Sequence, residues 1–132
     1  MDNVKVIVWG LGAMGSGMAK MILQKEGMDI VGAIASRPEK NGKDLGEVID
    51  LGQKCGVLVS CDEDKVLNTK ADIVLLATSS FAKDVFPQIE KIIESGKNVI
   101  TIAEEMAYPF YSEPTLSKKL DVLAKEHNAT IL

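Results

Sequence analysis

Hydrophobic and polar positions alternate in blocks along the chain. Short apolar runs, rich in β-branched residues, occupy residues 4–9, 30–35, 57–60, 72–77 and 98–102. Such runs are typical of strands buried on both faces of a parallel sheet. Between them, apolar residues recur every three or four positions, which predicts amphipathic helices. The alternation predicts an α/β fold, a doubly wound parallel sheet in three αβα layers.

Two helical segments show the pattern most clearly. The first is predicted to end at a cap on Gly27, and its apolar stripe comprises Met14, Met18, Met21 and Ile22. The second ends at Ser95-Gly96, and its stripe comprises Val85, Phe86, Ile89, Ile92 and Ile93. Shorter amphipathic pieces cover residues 45–51 and 62–68.

The last part of the chain predicts a further helix and the start of a sixth strand. The helix carries Leu116, Leu120, Leu123 and Ala124 and stops near Asn128, and residues 129–132 are mostly apolar. No polar loop follows them. Either this strand ends the sheet at its edge, or the chain is cut before a second domain; we expect residues 1–132 to form one domain and favour the cut.

A glycine-rich turn follows the first strand and opens a helix. Gly10, Gly12 and Gly15 form G-x-G-x-x-G, in which the glycines permit a tight turn, access of a pyrophosphate, and close helix packing. The free amides and dipole of the helix N-terminus favour a diphosphate. With 11 glycines in the chain the pattern alone is weak. Its position after an N-terminal strand predicts a Rossmann-type NAD(P)-binding domain; the alternative is a purely structural turn.

Ser36 and Arg37 stand where such domains usually carry an acidic residue that holds the adenine ribose. A guanidinium can bind a phosphate through two parallel charge-assisted bonds, or stack on adenine. The pair therefore predicts NADP as cofactor, with NAD possible. The alternative is that Arg37 is a solvated loop cation. Lys40 and Lys43 could add positive potential nearby, but we expect them to be surface lysines.

Small polar residues follow the fourth predicted strand. Ala77, Thr78 and Ser79 are expected beside the nicotinamide half, because ligands of such sheets lie beyond the carboxyl ends of the strands. Capping of the next helix by Ser79 or Ser80 is an equal and compatible interpretation. Glu104 and Glu105 follow the fifth strand on the same edge. They are either acceptors for a cationic substrate or solvated loop acids.

Composition excludes several other classes of protein. The chain is 46% hydrophobic and 26% charged with a net charge of −4, which indicates a folded domain without the basic surface of a nucleic-acid binder. No apolar run reaches the length of about 20 residues that a membrane span needs. Two cysteines and one histidine are too few for a zinc site or a disulfide scaffold. We expect no metal, reduced thiols and a cytoplasmic protein.

Three segments together carry a family resemblance: VWGLGAMGSGMAKMIL, VGAIASRPEKNGKDLGEVI and TIAEEMAYP. The chain resembles, over nearly its whole length, the N-terminal cofactor-binding domain of the 2,4-diaminopentanoate dehydrogenase family, which is related in fold to dihydrodipicolinate reductase. The resemblance implies an NAD(P)-dependent oxidative deamination. It yields 2-amino-4-oxopentanoate and ammonia. It also implies that residues 1–132 are the NAD(P)-binding domain, that a C-terminal substrate and dimerisation domain lies outside this chain, and that the full-length protein is a homo-oligomer.

The resemblance also implies a role for each site residue. Ser36 and Arg37 would hold the adenosine end, Thr78 and Ser79 the nicotinamide ribose, and Glu104, with Glu105 second, a substrate ammonium. The pyrophosphate would be held by Gly10, Gly12, Ala13, Met14 and Gly15. No catalytic acid or base is assigned.

Two alternatives remain. One is an imine reductase of the dihydrodipicolinate reductase type. The other is a non-enzymatic nucleotide-sensing module, against which the Ser36-Arg37 pair counts, because such modules usually carry an acid at that position.

Overall fold

A parallel sheet forms the centre of the structure, a computed structural model that describes residues 3–79, 81–102 and 114–131. Its five strands lie in the order β3-β2-β1-β4-β5, and every pair is parallel. Their bounds are β1 Val4–Trp9, β2 Met28–Ile34, β3 Val59–Ser60, β4 Ile73–Leu76 and β5 Asn98–Thr101. Beyond β5, Ile131 forms an isolated parallel bridge with Val99, at the place of the predicted sixth strand.

Helices cover both faces of the sheet, so the predicted doubly wound αβα architecture is confirmed. Their bounds are α1 Ala13–Leu23, α2 Leu45–Val48, α3 Glu63–Leu67, α4 Ala82–Glu94 and α5 Pro114–Glu126, with a 3-10 turn at Pro38–Lys40. The described helix and strand bounds differ from the predicted ones by at most a few residues.

The core is divided by the sheet into two halves. On β1, Val6 and Val8 pack with residues of α1 and α2, whereas Ile7 and Trp9 pack with residues of α3, α4 and α5. This alternation is the period-two consequence of a pleated strand buried on both faces. The predicted stripe of α4 is confirmed, because all five of its residues are at most 2% exposed.

The predicted apolar face of α1 is wrong at two positions. Met14 is 64% exposed and Met21 58% exposed, whereas the buried face consists of Gly15, Ala19 and Ile22. A Cβ atom on Gly15 would overlap the carbonyl oxygen of Gly10. At Gly15 the helix therefore lies too close to the glycine turn for any side chain, whereas further along the same face the helix buries Ile22.

The C-terminus of α1 also differs from the prediction. The helix ends at Leu23 with Gln24 as its C-cap, not at Gly27. Gly27 has φ +89° and accepts a hydrogen bond of 2.8 Å from the backbone N–H of Val4. It therefore turns the chain into β2 instead of closing the helix.

Asp44 organises the segment between α2 and β3. Its carboxylate accepts hydrogen bonds from the backbone N–H groups of Gly46 at 2.8 Å, Cys55 at 2.9 Å and Gly56 at 2.9 Å. These bonds, that of Cys55 first, hold the pKa of Asp44 below its ordinary value of 3.8. One carboxylate thus caps α2 and fixes the loop that leads towards β3.

Lys97 binds the C-terminal end of α3 through its side chain. The residue is 5% exposed, and its ammonium donates a hydrogen bond of 2.5 Å to the carbonyl oxygen of Leu67. Burial lowers the pKa of Lys97. The bond satisfies a carbonyl at the C-terminal turn of α3, where a cation is favourable.

Replacement of Gly15 by Ala should lower the free energy of unfolding by about 1–3 kcal/mol, the usual cost of overpacking. Gly17→Ala is the matched control, because a Cβ there meets no atom within 4 Å. It should stabilise the chain by about 0.5–1 kcal/mol through helix propensity. Urea unfolding followed by circular dichroism measures both, and equal effects of the two variants would contradict the close approach at Gly15.

Replacement of Asp44 by Asn should lower the free energy of unfolding at neutral pH. It should also make the free energy of unfolding decrease less as the pH falls into the acid range. Because the pKa of Asp44 is depressed in the folded state, its contribution is complete above the ordinary value of 3.8 and is lost as pH falls through the lower folded value. Urea midpoints across the acid range measure this. Asp50→Asn is the control, since Asp50 is exposed and asparagine tolerates its φ of 55°.

Candidate functional site

The glycine turn joins the ends of three strands. The backbone N–H of Gly10 donates to the carbonyl oxygen of Ile34 at 2.9 Å, and that of Ala77 donates to Trp9 at 2.8 Å. Gly10 has φ +104°, and a Cβ on it would lie 2.5 Å from the carbonyl oxygen of Ala77. Both the backbone conformation and the space available therefore require glycine at this position.

A cleft of about 660 Å³ opens at the carboxyl ends of β1, β2 and β4. This is the edge at which open α/β sheets bind their ligands. The cleft brings together seven of the ten residues predicted to hold the cofactor: Gly10, Gly12, Ser36, Arg37, Ala77, Thr78 and Ser79.

The other three predicted cofactor residues do not line this cleft. Ala13 and Met14 are exposed on the first turn of α1, and Ala13 borders a smaller cavity of about 400 Å³ between α1 and α2. Gly15 is buried against Gly10. In this arrangement Gly15 serves helix packing, whereas Gly12 presents its backbone to both cavities.

Lys40 borders the candidate site, although a surface lysine was the favoured expectation from the sequence. The residue is half-buried and lines the cleft, and its ammonium donates to the carbonyl oxygen of Leu11 at 2.9 Å. The 3-10 turn that begins at Pro38 folds the chain back towards the glycine turn. Lys43, by contrast, is exposed and does not line the cleft.

The hydroxyl groups after β4 are engaged with α4. Thr78 Oγ1 donates to Gln88 Oε1 at 2.6 Å, and Ser79 Oγ donates to Asp84 Oδ2 at 2.8 Å. Ser79 Oγ also accepts from the backbone N–H of Phe81 at 3.1 Å. The N-cap of α4 is Phe81 itself, so Ser79 supports the start of the helix from two residues before it.

Two acidic residues and one amide of the cleft wall also escaped the sequence analysis: Glu63, Asp84 and Gln88. Glu63 forms an ion pair with Lys91 of α4, which also lies 3.4 Å from Asp64. The hydrogen bond that the Lys91 ammonium donates to the Glu63 carboxylate raises the pKa of Lys91. Because α3 and α4 are separate in sequence, no local pattern could have revealed this pair.

Both cysteines are free; Cys55 is half-buried and Cys61 is exposed. Cys55 Sγ lies 3.6 Å from Asp44 Oδ1, and Cys61, which lines the cleft, donates from Sγ to the carbonyl oxygen of Arg37 at 3.4 Å. Glu104 and Glu105 lie outside the described residues. Among the residues that are described, no three His, Cys, Asp or Glu side chains cluster as metal ligands would.

Within the described ranges, no helix combines the length and apolar character required to cross a bilayer.

The fold and the cleft together define a Rossmann-type domain. The sheet is parallel in the order β3-β2-β1-β4-β5, a glycine turn follows its central strand β1, and the cleft opens at its carboxyl edge. Residues 4–102 match the family described as dihydrodipicolinate reductase, N-terminus. The chain belongs to this family.

Individual relatives agree with the resemblance stated from the sequence. The chain is 46% identical over 134 aligned positions to 2,4-diaminopentanoate dehydrogenase of Acetoanaerobium sticklandii, an alignment that covers 100% of this chain and 38% of the relative. It is 32% identical over 133 positions to 4-hydroxy-tetrahydrodipicolinate reductase of Methanococcus maripaludis, covering 79% of this chain and 48% of the relative. The chain therefore spans less than half the length of these relatives.

A solved structure extends the agreement to three dimensions. The amine dehydrogenase of Mycobacterium smegmatis superposes with a TM-score of 0.93 at 44% sequence identity. The match covers 98% of this chain and 38% of that structure. The expected similarity to the 2,4-diaminopentanoate dehydrogenase family is thus confirmed for the part of those proteins that this chain represents.

Proposed function

We propose that residues 1–132 are the NAD(P)-binding domain of a dehydrogenase that oxidatively deaminates 2,4-diaminopentanoate. The observation that carries the proposal is the cleft at the carboxyl edge of the sheet, bordered by Gly10 and Gly12 on one strand end and Arg37 on the next. A C-terminal region beyond these residues would hold the substrate and form the homo-oligomer. Both free cysteines support a cytoplasmic setting.

The residues of the cleft fit a dinucleotide. A Cβ on Gly12 would meet no protein atom within 4 Å, and Gly12 lines the cleft, so the backbone at the start of α1 is open to a diphosphate. Gly12 is also the N-cap of α1, and no side chain caps the free amides of the first turn. A diphosphate would accept hydrogen bonds from these amides.

The two sides of the cleft suit the two ends of an NADP molecule. The side after β2 offers the Ser36 hydroxyl and the Arg37 guanidinium, which suit an adenosine ribose bearing a 2′-phosphate. The side after β4 offers Thr78 and Ser79, whose hydroxyls can exchange their bonds to Gln88 and Asp84 for a ribose. This orientation would leave the nicotinamide near the carboxyl end of β4.

A bound nicotinamide would supply a hydride acceptor for the substrate carbon that bears the 4-amino group, so that the amine is oxidised at the expense of the cofactor and hydrolysis releases a ketone and ammonia. The part of this chain is to bind and orient the cofactor. Glu104, with Glu105 second, would receive the substrate ammonium. Two relatives are named as dehydrogenases of amines, 2,4-diaminopentanoate dehydrogenase and amine dehydrogenase, and this supports the proposed reaction.

The second candidate function is reduction of a cyclic imine, as in dihydrodipicolinate reductase. It is favoured by the family match over residues 4–102 and by the reductase of Methanococcus maripaludis at 32% identity. The higher identity to 2,4-diaminopentanoate dehydrogenase, 46%, favours the deaminating enzyme. A non-enzymatic sensor is the weakest alternative, since the relatives named above are all enzymes by name.

The chain should bind NADPH more tightly than NADH, and Arg37→Met should reduce this preference by weakening the binding of NADPH about tenfold, as expected for loss of a charge-assisted contact. Gly12→Ala should weaken both nucleotides about tenfold, because its Cβ occupies the pyrophosphate path. Calorimetry measures the affinities, and quenching of Trp9, the single tryptophan, reports on the cleft it lines.

Gly17→Ala serves as the control for this titration, since Gly17 lies outside the cleft on the same helix. Its affinities for NADPH and NADH should match those of the unaltered chain. Equal weakening by Gly12→Ala and Gly17→Ala would contradict the pyrophosphate site. Failure of the unaltered chain to bind either nucleotide would overturn the proposed function.

The complete gene product that carries this sequence should reduce NADP when supplied with 2,4-diaminopentanoate. It should release ammonia in equal amount, because one amine is oxidised for each hydride transferred. The assay follows the absorbance of the reduced nicotinamide, with ammonia measured separately. Oxidation of NADPH by 4-hydroxy-tetrahydrodipicolinate, without activity on the diamine, would favour the reductase instead.

A further inference from the structure

Lys40 lies in the cleft although nothing in the proposed function so far requires it. Its ammonium donates to the carbonyl oxygen of Leu11 at 2.9 Å, across 29 positions in sequence. The same carbonyl oxygen accepts from Ser16 Oγ at 3.1 Å. Lys40 therefore connects the turn after β2 to the glycine turn, and its ammonium has a fixed position inside the cleft.

The local backbone places Lys40 and Arg37 on a single turn. The backbone N–H of Lys40 donates to the carbonyl oxygen of Arg37 at 3.1 Å, and Pro38 begins the 3-10 turn between them. Both side chains line the cleft. Arg37 is the extended N-cap of this turn and Lys40 its last residue, so a single short turn brings both cations to the same cleft.

The charges of this space suit a phosphate monoester. Such a group carries a charge of about −1.5 to −2 near neutral pH, more than one guanidinium balances. An ammonium has three N–H donors, and the bond to Leu11 uses one of those of Lys40. Arg37 is exposed, and within the described residues its guanidinium forms no ion pair.

The acidic residues nearby do not cancel these cations. Glu63 also lines the cleft, but its carboxylate is paired with Lys91. Asp84 belongs to α4, on the β4 side of the cleft, where it accepts from Ser79. Glu39, between the two cations in sequence, is exposed and does not line the cleft.

We propose that Lys40 is a second specificity-determining residue for NADP: its ammonium, held by the Leu11 carbonyl oxygen, binds the 2′-phosphate together with Arg37. The inference rests on the proposed NAD(P) site and deepens it. The anchor to Leu11 keeps the ammonium in the cleft before the nucleotide arrives, so little side-chain freedom is lost on binding. Selection for the phosphate thus comes from two cations on one turn.

The test compares Lys40→Met, Lys40→Arg and the control Lys43→Met in the full chain, with NADPH and NADH as ligands. Lys40→Met should weaken NADPH about tenfold, as loss of a charge-assisted bond predicts, and NADH less than about twofold. Lys40→Arg should retain most of the preference. Lys43→Met should behave as the unaltered chain, because Lys43 does not line the cleft.

A pair of smaller ligands isolates the phosphate itself. 2′,5′-ADP and 5′-AMP differ only by the 2′-phosphate, and Lys40→Met should reduce affinity for the first alone. Thermal melts of each variant show whether folding is intact. A higher salt concentration should reduce the affinity for 2′,5′-ADP less steeply in Lys40→Met than in the unaltered chain, because one cation fewer contacts the phosphate.

Each contrary result has a distinct meaning. Equal weakening of NADPH and NADH by Lys40→Met would show that Lys40 only shapes the glycine turn, and would overturn the inference while leaving the dinucleotide site intact. No effect on either nucleotide would overturn it as well. Failure of the unaltered chain to bind NADPH and NADH would overturn the proposed function and this inference together.

Discussion

The close approach of α1 to the ends of β1 and β4 is the constraint on which the rest of the structure depends. It is possible because Gly10 and Gly15 lack side chains: a Cβ on either would meet backbone carbonyl oxygen, of Ala77 and of Gly10 respectively. The approach directs the N-terminus of α1 towards the carboxyl edge of the sheet. There the free amides of the helix, the end of β2 and the loop after β4 share one cleft.

The two sides of this cleft differ in chemistry. Arg37 and Lys40 supply positive charge on the side after β2, whereas the side after β4 supplies hydroxyl groups and the carboxylate of Asp84. Glu63 would weaken the positive side, but its pairing with Lys91 compensates its charge. A ligand with one phosphorylated end therefore has one favourable orientation, in which the phosphorylated end lies on the side after β2. This orientation is set by the strands from which the two loops begin.

Much of the architecture was predictable from local patterns. The five apolar runs correspond to the five strands, and the α4 stripe is buried as expected, because alternation and helical periodicity are direct consequences of backbone geometry. The G-x-G-x-x-G spacing likewise located the turn and its neighbours. The face of α1 was wrongly predicted at Met14 and Met21, because the apolar stripe did not reveal that Gly15, Ala19 and Ile22 face the sheet, with the close approach at Gly15.

The sequence by itself determined the order of strands and helices along the chain and the position of the glycine turn. It also determined that no acidic residue stands at positions 35–37, directly after β2. Each of these features depends on residues that are close together in the chain. Only the tertiary structure decided that Lys40 reaches Leu11 and that Lys91 compensates Glu63. These contacts join residues 29 and 28 positions apart. Their physical origin is the packing of separate elements around the sheet, which brings side chains together without leaving a periodic trace in the sequence.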